Sequence, residues 1–119
     1  MFKLSFGNHI RLTAAVSSRE KIKKFYGEIL GCQIKPHPDK PTDIVQFPDG
    51  VFMGINYEKD FLSENQALQG AWLELKTDDP AGMKEKLLNF GVREIEYPDK
   101  SNFYFQAPGG QVYRLARED

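Results

Sequence analysis

Several segments of this chain alternate polar or aromatic side chains with apolar ones, and the polar positions carry the residues best suited to chemistry. One segment contributes His9 and Arg11, a later one Trp72 and Glu74, and the last one Arg114. Successive side chains of a β-strand point to opposite faces, so this period of two predicts strands with one polar face. Guanidinium groups bind carboxylates or phosphates and an indole ring stacks on planar groups, so the set could bind an amphiphilic anion.

The full polar face admits two interpretations, because such positions can form either a ligand pocket or a filled ion-pair network. The face consists of His9, Arg11, Thr13, Phe52, Gly54, Asn56, Trp72, Glu74, Lys76, Val112, Arg114 and Ala116. As a pocket it would bind a ligand through Arg11, Trp72, Glu74, Arg114, His9, Phe52 and Asn56. As a filled face, Glu74 would neutralise one or both arginines, and Trp72 would plug the space or a dimer interface.

The opposite face of the same strands is uniformly apolar, and we expect it to pack on helices. It consists of Ile10, Leu12, Met53, Ile55, Leu73, Leu75, Tyr113 and Leu115. In another strand, Phe103-Tyr104-Phe105 alternates in the same way, so one or two of these rings should line the rim of the polar face. The segment from Asp39 to Asp43 is expected to be a polar surface loop, with a lid as the alternative.

The pattern occurs twice in the chain, about sixty residues apart. Gly31 and Gly91 are related by this offset, as are the Pro48/Pro108 and Gly50/Gly110 pairs. Similarity at a fixed offset is typical of a duplicated supersecondary unit. We therefore predict an α+β fold in which two βαβββ modules form a curved, cup-like mixed sheet with helices on its outer face. Module 1 would span about residues 7–57 and module 2 residues 70–117 of one domain, 1–119, joined by a linker, 58–69.

Helix signals lie at the corresponding place of each copy. Ser17 with Glu20 has the spacing of a capping box, which predicts a helix start there. The helix that follows has one apolar stripe, formed by Ile22, Phe25, Tyr26, Ile29 and Leu30. In the second copy, Asp79 would cap a helix with Pro80 at its first position. Phe61 and Leu62 of the linker are expected to dock on the surface, in a short helical turn.

Composition excludes several classes of protein. The chain has 119 residues with 16 basic and 17 acidic side chains, so no charge excess indicates a nucleic-acid partner. Its apolar runs are far shorter than the roughly 18 residues that span a bilayer. The single Cys32 excludes an intramolecular disulfide and a multi-cysteine zinc site, and we interpret it as a structural thiol. A cytoplasmic protein without a membrane partner is expected.

Two motifs carry a resemblance to a known family. The first is Val16-Ser17-Ser18 followed by Phe25-Tyr26-Gly27-Glu28-Ile29-Leu30-Gly31. The second is Asp78-Asp79-Pro80 followed by Leu87-Leu88-Asn89-Phe90-Gly91-Val92. With the paired hairpin turns, nearly the whole chain resembles the vicinal oxygen chelate superfamily, which includes glyoxalase I, extradiol dioxygenases, fosfomycin-resistance enzymes and bleomycin-resistance binding proteins.

The resemblance implies four metal-ligand positions, on the first and last strand of each copy. Carried over to this sequence, they are Arg11, Gly54, Trp72 and Arg114. Arginine has no free lone pair, and glycine and tryptophan offer no ligand atom, so none of the four can bind a divalent cation. The sequence therefore predicts a metal-independent member of the superfamily, without a cofactor.

The sequence supports three hypotheses about the function. The leading hypothesis is a homodimeric small-molecule binding protein whose ligand carries an anionic group. The second is a lyase, isomerase or dioxygenase with a displaced metal site at His9 and Glu74, and with His37 as a further ligand. The third is an interaction protein with a filled cup and an aromatic surface for a partner. The sequence leaves open whether the protein is an enzyme.

Overall fold

A computed structural model describes residues 2–59 and 63–118 of the chain. The strands in this part are β1 (His9–Ala15), β2 (Gln33–Pro36), β3 (Thr42–Gln46), β4 (Phe52–Glu58), β5 (Trp72–Thr77), β6 (Arg93–Glu94), β7 (Phe103–Gln106) and β8 (Val112–Arg117). The α-helices are α1 (Arg19–Lys24), α2 (Glu64–Ala67) and α3 (Pro80–Phe90). No helix in these two ranges is long and apolar enough to cross a membrane.

The strands form two four-stranded mixed sheets with the same topology. The first sheet has the order β1-β4-β3-β2 and the second has the order β5-β8-β7-β6. In each sheet the first and last strands of the module are parallel, and the other pairs are antiparallel. The predicted α+β class with two βαβββ modules is therefore confirmed. Within residues 2–59 and 63–118 no strand pair joins the sheets, so β1 and β5 each form an open edge.

The first helical segment begins differently from the prediction. Val16–Ser18 form a 3₁₀ turn, α1 follows, and Phe25–Ile29 form a π-helical turn. The predicted Ser17 capping box is wrong, because Ser17 lies inside the 3₁₀ turn and no side chain caps either helix start. The apolar stripe is confirmed, with Phe25 and Tyr26 fully buried.

A capping box does occur, but in the segment between the modules. The Ser63 side chain accepts from the Gln66 N–H at 3.2 Å, and the Gln66 side chain accepts from the Ser63 N–H at 2.9 Å. The short helix α2 begins there, within the segment predicted as the linker. Phe61 and Leu62, which were expected to dock on the surface, lie outside the described residues. The predicted cap of α3 is confirmed, since Asp79 accepts from the Gly82 N–H at 3.0 Å.

Both sheets turn their apolar faces toward one core, with helices between them. The eight residues of the predicted apolar face all belong to this core or pack against it. Tyr26, from the π-helical turn, contacts Phe47 of the first module at 6.3 Å between ring centroids and Tyr113 of the second at 6.4 Å. The polar faces of the sheets consequently point away from each other. In one chain the expected cup is divided into two separate outer faces, because each module uses the same helices to cover its apolar side.

The predicted loop from Asp39 to Asp43 ends earlier than expected, since only residues 39–41 lie outside a strand. Asp43 belongs to β3 and is fully buried, where it forms an ion pair with Arg19 at 2.8 Å. The Tyr57 hydroxyl is also buried, and this burial together with the neighbouring Asp43 raises the pKa of Tyr57. Asp43 thus anchors the helix to the first sheet and is not part of a mobile loop.

Candidate functional site

The first outer face is the polar side of the first sheet, and Arg11 lies at its centre. Arg11 is directly opposite Gly54 in the β1–β4 ladder. In one of its two orientations the Asn56 side-chain amide forms hydrogen bonds through both of its polar atoms. Its oxygen then accepts from Arg11 Nε at 3.0 Å, and its nitrogen donates to Thr42 Oγ1 at 2.6 Å. No carboxylate in the described ranges lies within ion-pair distance of Arg11. Within the described part of the chain, the positive charge of this exposed guanidinium is therefore not compensated by a carboxylate.

The space beside Arg11 is open. A Cβ atom built on Gly54 would meet only the Thr42 methyl carbon, at 4.0 Å. At the end of the same face, the His9 ring packs on the Phe52 ring with 5.0 Å between their centroids. The first outer face thus offers a cation, an amide and an apolar pair around an unfilled floor, which is an arrangement that suits a small anionic ligand.

The second outer face is the polar side of the second sheet, and its arginine is already paired. Arg114 Nε lies 2.8 Å from Glu74 Oε2, and its Nη1 lies 3.6 Å from Asp99 Oδ2. A hydrogen bond with Tyr104 and the charge of Glu74 raise the pKa of the Arg114 guanidinium. Hydrogen bonds from Asn102 and Ser101 hold the pKa of the Asp99 carboxyl well below its usual range. One guanidinium therefore faces two carboxylates.

Three aromatic rings pack beside this ion-pair network. Trp72 contacts Tyr97 at 5.3 Å and Tyr104 at 5.9 Å, and Tyr97 contacts Tyr104 at 4.7 Å between centroids. The indole Nε1–H donates to the Leu68 carbonyl at 2.9 Å, which fixes the ring. Tyr97 is 42% exposed and Tyr104 is 7% exposed, so Tyr97 is the ring of this cluster that solvent reaches most. We call Trp72, Tyr97 and Tyr104 the aromatic wall.

Sequence reasoning found part of this second face. It placed Trp72, Glu74 and Arg114 together, and it expected one or two rings of the Phe103–Phe105 stretch at the rim, where Tyr104 lies opposite Arg114. It missed Tyr97 and Asp99, which belong to the irregular segment between β6 and β7. No periodic signal marks such a segment, although a tyrosine and an aspartate flanking a proline are visible in the sequence.

The comparisons with known proteins come from structure, since neither a family model nor a curated protein matches the sequence. A protein from Bacillus anthracis assigned to the glyoxalase family has a TM-score of 0.75 at 20% identity, with 100% of both chains covered. TnmS3, an antibiotic binding protein from Streptomyces sp. CB03234, has a TM-score of 0.69 at 19% identity, also with 100% of both chains covered. The fosfomycin resistance protein FosX from Mesorhizobium loti has a TM-score of 0.69 at 10% identity, covering 95% of this chain and 92% of its own. The chain has the fold of the vicinal oxygen chelate superfamily.

Within this vicinal oxygen chelate fold, the strand ladders correct one prediction about which residues of the two modules occupy equivalent positions. Arg11 lies opposite Gly54, whereas Arg114 lies opposite Glu74, and Trp72 lies opposite Val112. The structural counterpart of Arg11 is therefore Glu74, and the pairing of Arg11 with Trp72 is wrong by two residues. A shift of two leaves every side chain on its predicted face, so the composition of the faces does not change.

The metal that the vicinal oxygen chelate fold implies does not fit the residues present. At the four equivalent ladder positions, Arg11, Gly54 and Arg114 offer no ligand atom, and the one carboxylate, Glu74, is paired with Arg114. The described ranges contain no group of three or more His, Cys, Asp or Glu residues that could hold a metal ion. The alternative site at His9 and Glu74 is split between the two outer faces. In His37, the further ligand of that alternative site, Nδ1 already accepts a hydrogen bond from the Asp39 N–H at 3.1 Å.

The two arginines are not brought together in one chain. Arg11 lies on the first outer face and Arg114 on the second, and the two faces point in opposite directions because they share one core. The pairing of Glu74 with Arg114 agrees with the interpretation of the second face as an ion-pair network, and the burial of Val112 and Ala116 shows that this face is closely packed. The first outer face agrees with the other interpretation, in which the polar residues form the wall of a ligand pocket. A cup that uses both faces needs two chains.

Proposed function

We propose that this protein binds a small molecule with an anionic group, without a metal, in the manner of the binding proteins of the glyoxalase and bleomycin-resistance type. The observation that carries the proposal is Arg11, an exposed guanidinium without a carboxylate partner in the described ranges, beside the open floor at Gly54. A neighbour of the same fold, TnmS3, is an antibiotic binding protein, which supports a small-molecule ligand. Arg114 is held by Glu74 and Asp99, so the anionic group belongs to Arg11.

The binding cup in this proposal is assembled by a homodimer. The first outer face of one copy meets the second outer face of the other, and β1 approaches β5 of the partner copy. Open strand edges expose unpaired backbone groups, and pairing the edges removes this liability. The faces also differ in charge, since no carboxylate of the described residues pairs with Arg11, while two carboxylates lie near Arg114. In such a cup the aromatic wall would stack on the planar part of a ligand whose anionic end contacts Arg11.

The proposed compartment is the cytoplasm. Cys32 is the single cysteine of the chain and is a buried free thiol. Free thiols of this kind persist in the reducing cytoplasm. The prediction would be contradicted by tagged protein that fractionates outside the cytoplasm.

The charge requirement can be tested with a pair of aromatic dyes. Anilinonaphthalene sulfonate carries an anionic group, and phenylnaphthylamine is its uncharged analogue. A charged hydrogen bond contributes about 1.5–3 kcal/mol, so we expect Arg11→Gln to weaken binding of the sulfonate by roughly ten- to a hundredfold and to leave the uncharged dye unchanged. Lys21→Gln, on an exposed position of α1, is the matched control. Equal losses for both dyes, or no loss with Arg11→Gln, would contradict the proposal.

Gly54→Val tests the floor of the same site. Because a Cβ at Gly54 has only an ordinary contact at 4.0 Å, the variant should fold with a melting temperature close to that of the wild type. The added side chain would fill the space beside Arg11, so both dyes should bind more weakly. Unchanged binding of the two dyes would place the ligand elsewhere.

Mixing two defective variants distinguishes a two-chain cup from a one-chain site. Arg11→Gln damages the first outer face and Trp72→Leu damages the second. In a mixed dimer with two-chain cups, one cup carries both defects and the other carries none. Mixing should therefore restore sulfonate binding to about half of the sites in mixed dimers. No restoration, with mixed dimers shown by mass, would contradict the two-chain cup.

A further inference from the structure

A groove runs between the two modules on the apolar side of the sheets, opposite to the side that carries Arg11. It has a volume of about 480 Å³, within the range of roughly 300–1,000 Å³ that is typical of ligand pockets. Its apolar lining includes Leu30, Phe47, Leu75, Met83, Leu87 and Leu115. Phe47, Leu75 and Met83 are only partly buried, so a ligand can reach this lining. We call this cavity the inter-module groove.

The inter-module groove continues inward as a narrower space. A second cavity of about 90 Å³ shares Phe47, Asp49, Glu74 and Leu75 with the groove and extends to the fully buried Tyr113. The combined space is therefore wide at the surface and narrow at its inner end. This shape suits an elongated apolar group.

The equivalent turn of the other module leaves less room. There a Cβ on Gly109 would lie 2.6 Å from Ile22 Cδ1, so the turn packs directly on the first helical segment, and the cavity beside it has a volume of about 280 Å³. Sixty residues earlier the same position is Asp49, and a Cβ on the following Gly50 would meet no described residue within 4 Å. The first module thus has a carboxylate beside an open groove where the second has a packed glycine.

Carboxylates outnumber cations in the lining of the inter-module groove. It includes Asp49, Glu74 and Glu118, with Lys76 as its cationic member. Glu74 already pairs with Arg114 at 2.8 Å. Within residues 2–59 and 63–118, neither Asp49 nor Glu118 has a cation within ion-pair distance. An apolar groove with such an acidic rim is complementary to an amphiphile that carries a positive charge.

The backbone fixes both ends of this acidic rim. Asp49 Oδ1 accepts from the Val51 N–H at 3.0 Å, which leaves the second carboxylate oxygen able to accept from a ligand. The Glu118 N–H donates to the Thr77 carbonyl at 2.9 Å, so the chain at Glu118 continues the β8 strand alongside β5. The two carboxylates therefore belong to ordered parts of the chain.

We propose that the inter-module groove is a second small-molecule site, which binds an amphiphilic amine. The ammonium group lies at the acidic rim beside Asp49 and Glu118, and the apolar body packs on Phe47, Leu75 and Met83. An ammonium donates charge-assisted hydrogen bonds to carboxylates, and the face of an aromatic ring such as Phe47 attracts it further. A methionine in the lining adapts to apolar groups of different shape. The site is separate from Arg11 and does not depend on the anion bound there.

Three matched probes test the charge. Phenylbutylamine is cationic, phenylbutanol is uncharged and phenylbutyrate is anionic, and we expect affinity in calorimetric titration to fall in that order. Asp49→Asn should weaken binding of the amine about three- to tenfold, since Asp49 is exposed and solvent screens part of the interaction. It should leave phenylbutanol unchanged, and asparagine keeps the oxygen that accepts from Val51. Glu85→Gln, at an exposed position of α3 outside the groove, is the matched control. Equal affinity for amine and alcohol, or an unchanged amine affinity in Asp49→Asn, would overturn the proposal.

Methyl resonances of the wild-type protein locate the amine without any substitution. Addition of phenylbutylamine should shift the methyl signals of Leu75, Met83 and Leu87. The methyl signals of Ile44, which lies opposite Gly54 on the first outer face, should stay in place. Shifts confined to Ile44 would place the amine on the first outer face and contradict the assignment to the groove.

The amine site and the proposed anion site can fail separately. Arg11→Gln should leave binding of phenylbutylamine unchanged, and Asp49→Asn should leave binding of the sulfonate dye unchanged. A loss of amine binding in Arg11→Gln would mean that the two ligands share one site, and would overturn the second site. Amine binding that vanishes at concentrations where the protein is dimeric would show a second copy in the groove, which also overturns the proposal.

Discussion

The ion pair between Arg19 and the buried Asp43 connects the first helical segment to β3, and its removal should destabilise the folded protein. Arg19 Nε donates to Asp43 Oδ2 at 3.1 Å, and Arg19 Nη2 donates to Oδ1 at 2.8 Å. The guanidinium also lies 4.9 Å over the Tyr57 ring. The Asp43 side chain is 1% exposed, so Arg19→Met would leave a carboxylate buried without its cation.

The magnitude follows from burial. Removing one partner of a buried pair costs about 3–5 kcal/mol of unfolding free energy. Because the Arg19 side chain is 29% exposed, solvent screens part of the interaction and the lower end applies, about 3 kcal/mol. For a domain of this size, 1 kcal/mol corresponds to about 4 °C, so the melting temperature should fall by about 12 °C.

A double-mutant cycle provides the assay. Urea unfolding, followed by circular dichroism, would be measured for Arg19→Met, Asp43→Leu and the double variant. We expect the double variant to recover part of the loss, since it buries no unpaired charge. Lys21→Met on the same helix is the control and should change stability by less than about 0.5 kcal/mol. A cost below about 1 kcal/mol for Arg19→Met, or additive losses in the cycle, would refute the reasoning.

Two further predictions concern a thiol and a pair of glycines. Burial, and then the charge of Asp49, raise the pKa of Cys32 to about 12, so near pH 8 the thiolate fraction should be about a thousandfold smaller than in the unfolded chain. Reaction with a disulfide reagent should therefore be slow in the native protein and fast in urea, and rapid native reaction would contradict this. Gly31 and Gly109 both have positive φ, but only at Gly109 would a Cβ lie 2.6 Å from Ile22 Cδ1. Gly31→Ala should cost about 1 kcal/mol and Gly109→Ala about 2–4 kcal/mol, and equal costs in urea unfolding would contradict the difference.

The repeat and the alternation of side chains predicted the fold well, because both depend on local periodicity. An apolar residue at every second position must face a core, whatever the rest of the molecule does. The residues at which helices begin were harder to predict from the sequence. Ser17 and Ser63 have equivalent capping patterns in the sequence, and only the second precedes a helix with the required extended backbone. The 3₁₀ turn at Val16–Ser18 removes the geometry that a cap at Ser17 would need.

The site was less predictable, because its contacts join distant residues. Arg19 and Asp43 are far apart in sequence, and neither position has a periodic signal that links it to the other. Asp99 reaches Arg114 from an irregular segment, so strand patterns could not assign it to the second outer face. Alternation also states which side of a strand is polar, but not whether the polar sides of two sheets face each other. This is why the separation of Arg11 from Arg114 required the structure.

The two modules have kept one architecture while their outer faces have become different. At equivalent ladder positions, the first has Arg11 opposite Gly54, and the second has Glu74 opposite Arg114. One face therefore keeps an open floor and a cation that no carboxylate of the described residues pairs with, while the other has an ion pair beside the aromatic wall. Each face alone supplies only part of what an amphiphilic anion needs, since charge is on one face and stacking surface on the other. Because the shared core turns them apart, the complementary features can act on one ligand only where two chains meet.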